Sequence, residues 1–248
     1  MPEIGPNYEI VQDYLKKYVP RYPYSNQAVN NNKIEKLVVE KIKPNGYMIL
    51  NGHHRWFAAC LVKRKKMPIK IVNVTHEEDI LKAMSRMKNR VCVSFDLDEV
   101  VIAPEGFPNV EPKPVNPVAL VRRERIREGV PALTDALHSI GCDIWVYTGQ
   151  YASEGQIRTL MGLYKIQVDG IVNGMKNRKS MSGIRERFSE RYDVSIHVDA
   201  EGIICVDTKN KTYEMVDLVR GAGEWASEAI GVIREADAVK RALAKENG

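Results

Sequence analysis

A chain of 248 residues, 44% hydrophobic and 28% charged, has enough apolar surface to offset the entropy of ordering and enough length for two small domains or one large one, which excludes disorder as its main state. No stretch approaches the roughly 18 uninterrupted apolar residues of a membrane span, and the opening M-P-E-I-G-P-N lacks a basic and then apolar leader pattern, so a cytoplasmic protein with no membrane partner is expected. The net charge of +5 is unevenly spread: residues 1–90 carry 17 Lys+Arg against 8 Asp+Glu, or +9, and the remainder 20 against 24, or −4, as two domains with different partners would show.

In chain order, a short helix is expected around Tyr8 to Tyr18, followed by irregular chain rich in Tyr, Pro and Asn. Lys33 to Glu40 reads as a short amphipathic helix, Pro44 to Gly46 as a turn, and Tyr47 to Leu50 as a strand. His54 to Lys63 has helical apolar spacing, and P-I-K-I-V-N-V at Pro68 to Val74 alternates as a strand does. Thr75 is a suitable N-cap for the next helix, which carries acids in its first turn and bases in its last and is expected to join the two domains. The expected boundaries are 1–75, a helical linker 76–90, and 91–248.

The second half opens with V-C-V-S-F at Val91 to Phe95, a continuous apolar run of the kind buried on both faces of a parallel sheet. Further runs lie at Ile144 to Tyr147, Gly170 to Val172, Ile196 to Val198 and Ile203 to Val206. Helical stretches separate or follow them at Val130 to Ile140, Glu154 to Leu163, Ser182 to Arg191 and Glu224 to Lys245. Such alternation predicts an α/β fold with a doubly wound parallel sheet. The proline-rich Pro104 to Pro117 is a loop or small flap. Four cysteines form no C-x-x-C pair and five histidines lack i, i+4 spacing, so neither a zinc site nor a disulfide framework is written here.

Ligands of such sheets sit beyond the carboxyl ends of the strands. The polar residues that follow the apolar runs are Asp96 and Asp98 in F-D-L-D-E-V, Thr148 in W-V-Y-T-G-Q, and Asp199 in H-V-D. Lys176 and Lys179 in M-K-N-R-K-S stand at the start of a helix. Converging carboxylates repel unless a hard divalent cation lies between them, and Mg²⁺ takes such oxygens together with a substrate phosphate. A lysine and a hydroxyl can hold the remaining phosphate oxygens.

V-C-V-S-F-D-L-D-E-V resembles motif I of the haloacid dehalogenase-like superfamily, W-V-Y-T its motif II, Lys176 its motif III lysine and H-V-D-A-E its motif IV, over about Val91 to Gly248. The resemblance implies a Mg²⁺-dependent phosphoric monoester hydrolase. Asp96 would attack phosphorus, and Asp98 would protonate the leaving oxygen and then deprotonate water. Thr148, with Gly149 behind it, and Lys176 rather than Lys179 would hold the phosphoryl group; Asp199 would complete the Mg²⁺ site with Asp96 and the main-chain carbonyl of Asp98. Where motif IV usually holds a second acid this chain has Ala200, with Glu201 and Asp207 as substitutes. Only about 52 residues separate Asp96 from Thr148, too few for a large cap over the site.

In the first half, I-L-N-G-H-H-R-W-F-A-A places Gly52, His53, His54 and Arg55 at a turn into a helix, where amides, helix dipole and guanidinium suit a phosphate; a structural ion pair for Arg55 is the alternative. With the strand that follows, it is similar to the ParB-like and sulfiredoxin-like α+β fold, whose G-x-x-R-x-x-A-A element binds nucleotide phosphates. Sulfiredoxin chemistry is not implied, since its reactive cysteine falls where this chain has His53. The D-G-H-H-R domains of ParB-like free serine kinases come nearest in wording, with Asn51 in place of Asp. Lys63 to Lys66 reads as a solvated helix end, and Arg122 to Arg127 as a solvated helix face or an anion-binding rim over Asp96.

The leading expectation is a phosphatase acting on a phosphorylated substrate, with a nucleotide or a nucleic-acid end fitting the charge split. The alternatives are a nucleotide-dependent small-molecule kinase centred on Gly52 to Arg55, and a nucleotide-gated DNA-associated regulator with a weak second site.

Overall fold

The computed structural model describes residues 5–18, 34–174, 186–188, 190–198, 203–208, 212–217, 231, 234 and 235, the two strands at 203–208 and 212–217 by their backbone alone. Lys176, Lys179, Asp199, Ala200 and Glu201 lie outside the described residues, as does nearly all of the helix expected at Glu224 to Lys245. The chain divides into two compact units, Met1–Asn73 and Val74–Gly248.

The first unit contains α1 (Tyr8–Tyr18), β1 (Leu37–Lys41), β2 (Tyr47–Asn51), α2 (His53–Leu61) and β3 (Ile69–Ile71). Its sheet has the order β2-β1-β3, with β1 antiparallel to β2 and parallel to β3. β1 corrects the helix expected over Lys33 to Glu40. Apolar positions at Ile34, Leu37 and Val38 fit a helical period, but the paired β-branched residues Val38 and Val39 form the central strand, hydrogen-bonded on both sides. Val11 and Tyr18 of α1 pack with Ile34, Ala58 and Ala59 in the core of this unit. The small side chains of Ala58 and Ala59 let α2 lie close to α1.

The second unit contains α3 (Glu77–Met84), β4 (Val91–Asp96), a π-helical turn (Leu97–Val101), β5 (Ile102–Ala103), α4 (Pro117–Val121), β6 (Arg125–Ile126), α5 (Val130–Ser139), β7 (Cys142–Thr148), α6 (Glu154–Leu163), β8 (Gly170–Asn173), β9 (Val194–Val198), β10 (Ile203–Thr208) and β11 (Thr212–Asp217). Its main sheet has the order β11-β10-β9-β4-β7-β8. β9, β4, β7 and β8 are parallel, whereas β10 and β11 are antiparallel additions at one edge. The run at Ile203 therefore departs from the expected parallel pattern. Four residues separate Val198 from Ile203, and a parallel crossover needs a dozen or more.

Alternation along the strands divides the core. Val93, Phe95, Ile144, Val146, Val194 and Ile196 face Leu133 and Leu137 of α5 and Ile157, Leu160 and Met161 of α6. Cys92, Trp145, Tyr147 and Val172 face the other way, against Ile80 and Met84 of α3 and against Phe188 and Tyr192. α3 is thus part of the second unit rather than a free joining helix. β7 is buried along its whole length, which is why its sequence is a nearly unbroken apolar run.

The insert between Ala103 and Arg125 is small. β5 pairs with β6, Val110 bridges to Arg127, and the five-residue α4 is its only helix.

Candidate active site at the carboxyl ends of the parallel strands

Read along the sheet, β8, β7, β4 and β9 stand in the spatial order third, second, first, fourth of the parallel strands. The chain leaves β4 toward one side and returns on the other, so the switch point of the sheet lies between β4 and β9, beside the carboxyl end of β4. Asp96 is the last residue of β4.

Asp96 also caps the π-helical turn. One carboxylate oxygen, Oδ1, accepts the amides of Asp98 at 2.8 Å and Glu99 at 2.9 Å, leaving Oδ2 outside both bonds. The turn carries Asp98 toward the end of β7. There Thr148 Oγ1 donates to Asp98 Oδ2 at 2.6 Å while accepting the Gln150 amide at 2.9 Å. Burial is the largest influence on the Asp98 carboxyl and pushes its pKa up. The Thr148 hydroxyl opposes this, the negative charges of Asp96 and Glu99 add to it, and the Gly149 amide again opposes it. Burial thus favours the protonated form of Asp98, while among the described residues Asp96 Oδ2 has no hydrogen-bond partner.

The two aspartates and Thr148 of the expected site thus come together, with Gly149 beside them. Lys176 and Asp199 lie outside the described residues; β9 ends at Val198, in register with Phe95. Among the described residues no three His, Cys, Asp or Glu side chains converge as a metal centre. Asp207 is removed as a substitute metal ligand. Because β10 runs antiparallel to β9, Asp207 pairs with Ser195 while Ile204 pairs with Val198, which sets Asp207 about 10 Å back along the sheet from its carboxyl end.

Two features of this region were not singled out in the sequence. Asn173 ends β8 in register with Thr148 and is 1% exposed, and its Nδ2 donates to Ala152 O at 2.6 Å in the loop after β7. The rule that located Thr148, a polar residue directly after an apolar run, also marks Asn173 in G-I-V-N-G. The second is Ser94, in register with His197, with Oγ and Nδ1 2.9 Å apart two positions before Asp96. Only strand pairing could bring those two together.

The basic run at Arg122 to Arg127 is neither a helix face nor an open rim. Arg122 Nη2 donates to Gln156 O, Arg125 Nη2 donates to Glu111 O, and Arg127 donates to Glu99 O and Val100 O.

In the first unit, Gly52 adopts φ 102° and starts α2, its carbonyl accepting the Trp56 amide at 2.9 Å. His53 is exposed and His54 half-buried, both in the first turn. Arg55 is buried and donates from Nη1 to Glu35 Oε2 at 2.7 Å, so in this structure the guanidinium is held in an ion pair. A Cβ on Gly52 would lie 2.8 Å from Leu37 Cδ2 and 3.0 Å from Arg55 Nε and Nη2. The glycine is needed both for its backbone conformation and for the closeness of the arginine. Past the end of α2, the Arg64 guanidinium lies over the Tyr18 ring at 5.9 Å.

No helix among the described residues is long and apolar enough to cross a membrane. No curated protein and no solved structure matches the chain. Residues 25–86 match the family model of the ParB N-terminal domain, a span that takes in β1, β2, α2, β3 and α3. The N-terminal part of this mixed α/β protein is therefore ParB-like.

Proposed function

We propose that the second unit is a haloacid dehalogenase-like phosphatase that hydrolyses a phosphomonoester through a phosphoaspartyl intermediate on Asp96. The observation that carries this reading is the division of labour between two aspartates at the switch point. Among the described residues one carboxylate oxygen of Asp96 is unengaged, while burial favours the protonated form of Asp98, 2.6 Å from Thr148.

Asp96 attacks phosphorus, the bond from phosphorus to the leaving oxygen breaks, and Asp98 gives that oxygen its proton. Asp98, now a carboxylate, takes a proton from water as the water oxygen attacks the phosphoaspartate. Phosphate leaves and Asp96 is restored. Thr148 spends its hydroxyl proton on Asp98, which supports a role in orienting the acid, with Gly149 and Lys176 left to hold phosphoryl oxygens. The donor set suits Mg²⁺, a cation that prefers oxygen ligands. Asp96, the Asp98 carbonyl and Asp199 would hold it, and when bound it neutralises charge on the phosphoryl group. The test is phosphate release from an aryl phosphate with Mg²⁺, by the wild type and by Asp96→Asn. Turnover lost in the variant supports the reading, and a wild type inactive on aryl, nucleotide and nucleic-acid terminal phosphates overturns it.

A second reading concerns the first unit and rests on the ParB N-terminal match together with the Gly52 to Arg55 turn. It binds the phosphate of a nucleotide, which replaces Glu35 as the partner of Arg55. Nucleotide binding lost in Arg55→Ala but kept in Asp96→Asn is the expected result. The same pair of variants, assayed for nucleotide-dependent phosphorylation of a metabolite, separates a kinase from a sensor.

A further inference from the structure

The π-helical turn that carries Asp98 is fastened at both ends. At its start Asp96 Oδ1 takes the amides of Asp98 and Glu99. At its finish Glu99, Val100 and Val101 present the carbonyls that a helical turn leaves without partners. A single residue from the far side of the insert takes all three. Arg127 donates from Nη2 to Glu99 O at 2.9 Å, from Nε to Val100 O at 3.1 Å and from its main-chain N to Val101 O at 3.0 Å. Its guanidinium in turn lies 4.7 Å from the centre of the Phe107 ring, within the range of a cation–π contact.

We infer that Arg127 is a positioning residue for the acid step of the proposed phosphatase: it holds the turn wound, and thereby holds Asp98 against Thr148 and the Asp98 amide on Asp96. This rests on the phosphatase reading for its chemistry and on the bonds above for its geometry. Lysine cannot replace the guanidinium, because one ammonium does not offer the planar fork that meets two successive carbonyls from one side. Arg127, where the chain returns from the insert, is thus a brace on the turn that carries Asp98.

The experiment compares wild type, Arg127→Met and Arg127→Lys on para-nitrophenyl phosphate, whose leaving group departs without a proton, and on ethyl phosphate, whose leaving group needs one. In Arg127→Met kcat/KM, which reports the steps up to leaving-group departure and not the Asp98-assisted hydrolysis common to both esters, should fall by about 10²-fold or more on ethyl phosphate, the scale of general-acid catalysis, and by much less on the aryl ester. Arg127→Lys should fall between. Hydrogen exchange of peptides spanning residues 96–102 should quicken in Arg127→Met, while those of β7 stay as in the wild type. Equal losses on both esters, or unaltered exchange at 96–102, overturn the assignment of Arg127. A wild type that turns over neither ester overturns the catalytic role of Arg127, the phosphatase reading falling with it when nucleotide and nucleic-acid terminal phosphates are also inert, and quickened exchange would then leave only the brace on the turn.

Discussion

The hydroxyl of Thr75 holds Asn173 twice, beside a bond from the Thr75 amide to Asn173 O at 3.4 Å. The Thr75 hydroxyl donates to Asn173 Oδ1 at 2.9 Å and accepts the Asn173 amide at 3.0 Å. The sequence marks Thr75 as the N-cap of α3, but that position is filled by His76, whose amide donates to Asp79 at 3.1 Å. Thr75 instead ties the start of the second unit to the end of β8, beside Thr148. Replacing it with valine keeps the shape and removes both bonds to a fully buried partner, so stability should fall by about 1–3 kcal/mol. Urea unfolding of Thr75→Val and Thr75→Ser would check this, serine restoring most of the loss.

The hydroxyl of Thr148 pulls the pKa of Asp98 down against the effect of burial. Thr148→Val removes that pull, so Asp98 should hold its proton to higher pH. In the phosphatase reading the protonated acid is the active form, and the alkaline limb of kcat/KM should move upward while the maximum drops by up to about tenfold, the scale of a lost hydrogen bond between neutral groups. A limb that stays in place would show that Asp98 does not set it.

Asp143 gives a prediction independent of catalysis. It is buried at the start of β7, and burial pushes its pKa above the usual carboxylate range, with Asn89, bonded at 2.7 Å, and Tyr192 pulling the other way. A carboxyl whose pKa is raised by folding binds more protons in the native than in the unfolded chain. Its contribution is therefore fully present below the unfolded value and is lost as pH rises through the folded one. Asp143→Asn, which cannot ionise, should melt higher than wild type near neutral pH, and the difference should vanish on acidification. Melting curves from pH 4 to 8 would show it, and a gap that does not change with pH would refute the titration.

Gly52→Ala should disturb the first unit more than any exposed substitution there. The left-handed φ of 102° costs a non-glycine residue roughly 1–2 kcal/mol, and the added carbon meets Leu37 and Arg55. Faster hydrogen exchange along α2, with exchange in β4 and β7 unchanged, is the expected signature. Nucleotide affinity should fall with it if Arg55 receives the phosphate.

What the sequence by itself determined is the set of local facts. Continuous apolar runs at Val91, Ile144 and Gly170 announced buried parallel strands, because a strand covered on both faces has no polar side. Polar residues directly after those runs announced Asp96, Asp98 and Thr148. α6 begins and ends where expected, since its Ser153 cap and its apolar spacing are written in adjacent residues. The tertiary structure decided everything that depends on pairing across distance. Leu37 to Lys41 is a strand because β2 and β3 flank it. Asp207 lies back from the site end because β10 returns antiparallel. Arg55 is engaged by Glu35, twenty residues away, and Arg127 reaches the turn that carries Asp98 only because β6 pairs with β5. A residue type and its immediate neighbours can name the chemistry available at a strand end, but which charges meet, and which carbonyls a guanidinium closes, is settled by the packing that brings remote segments together.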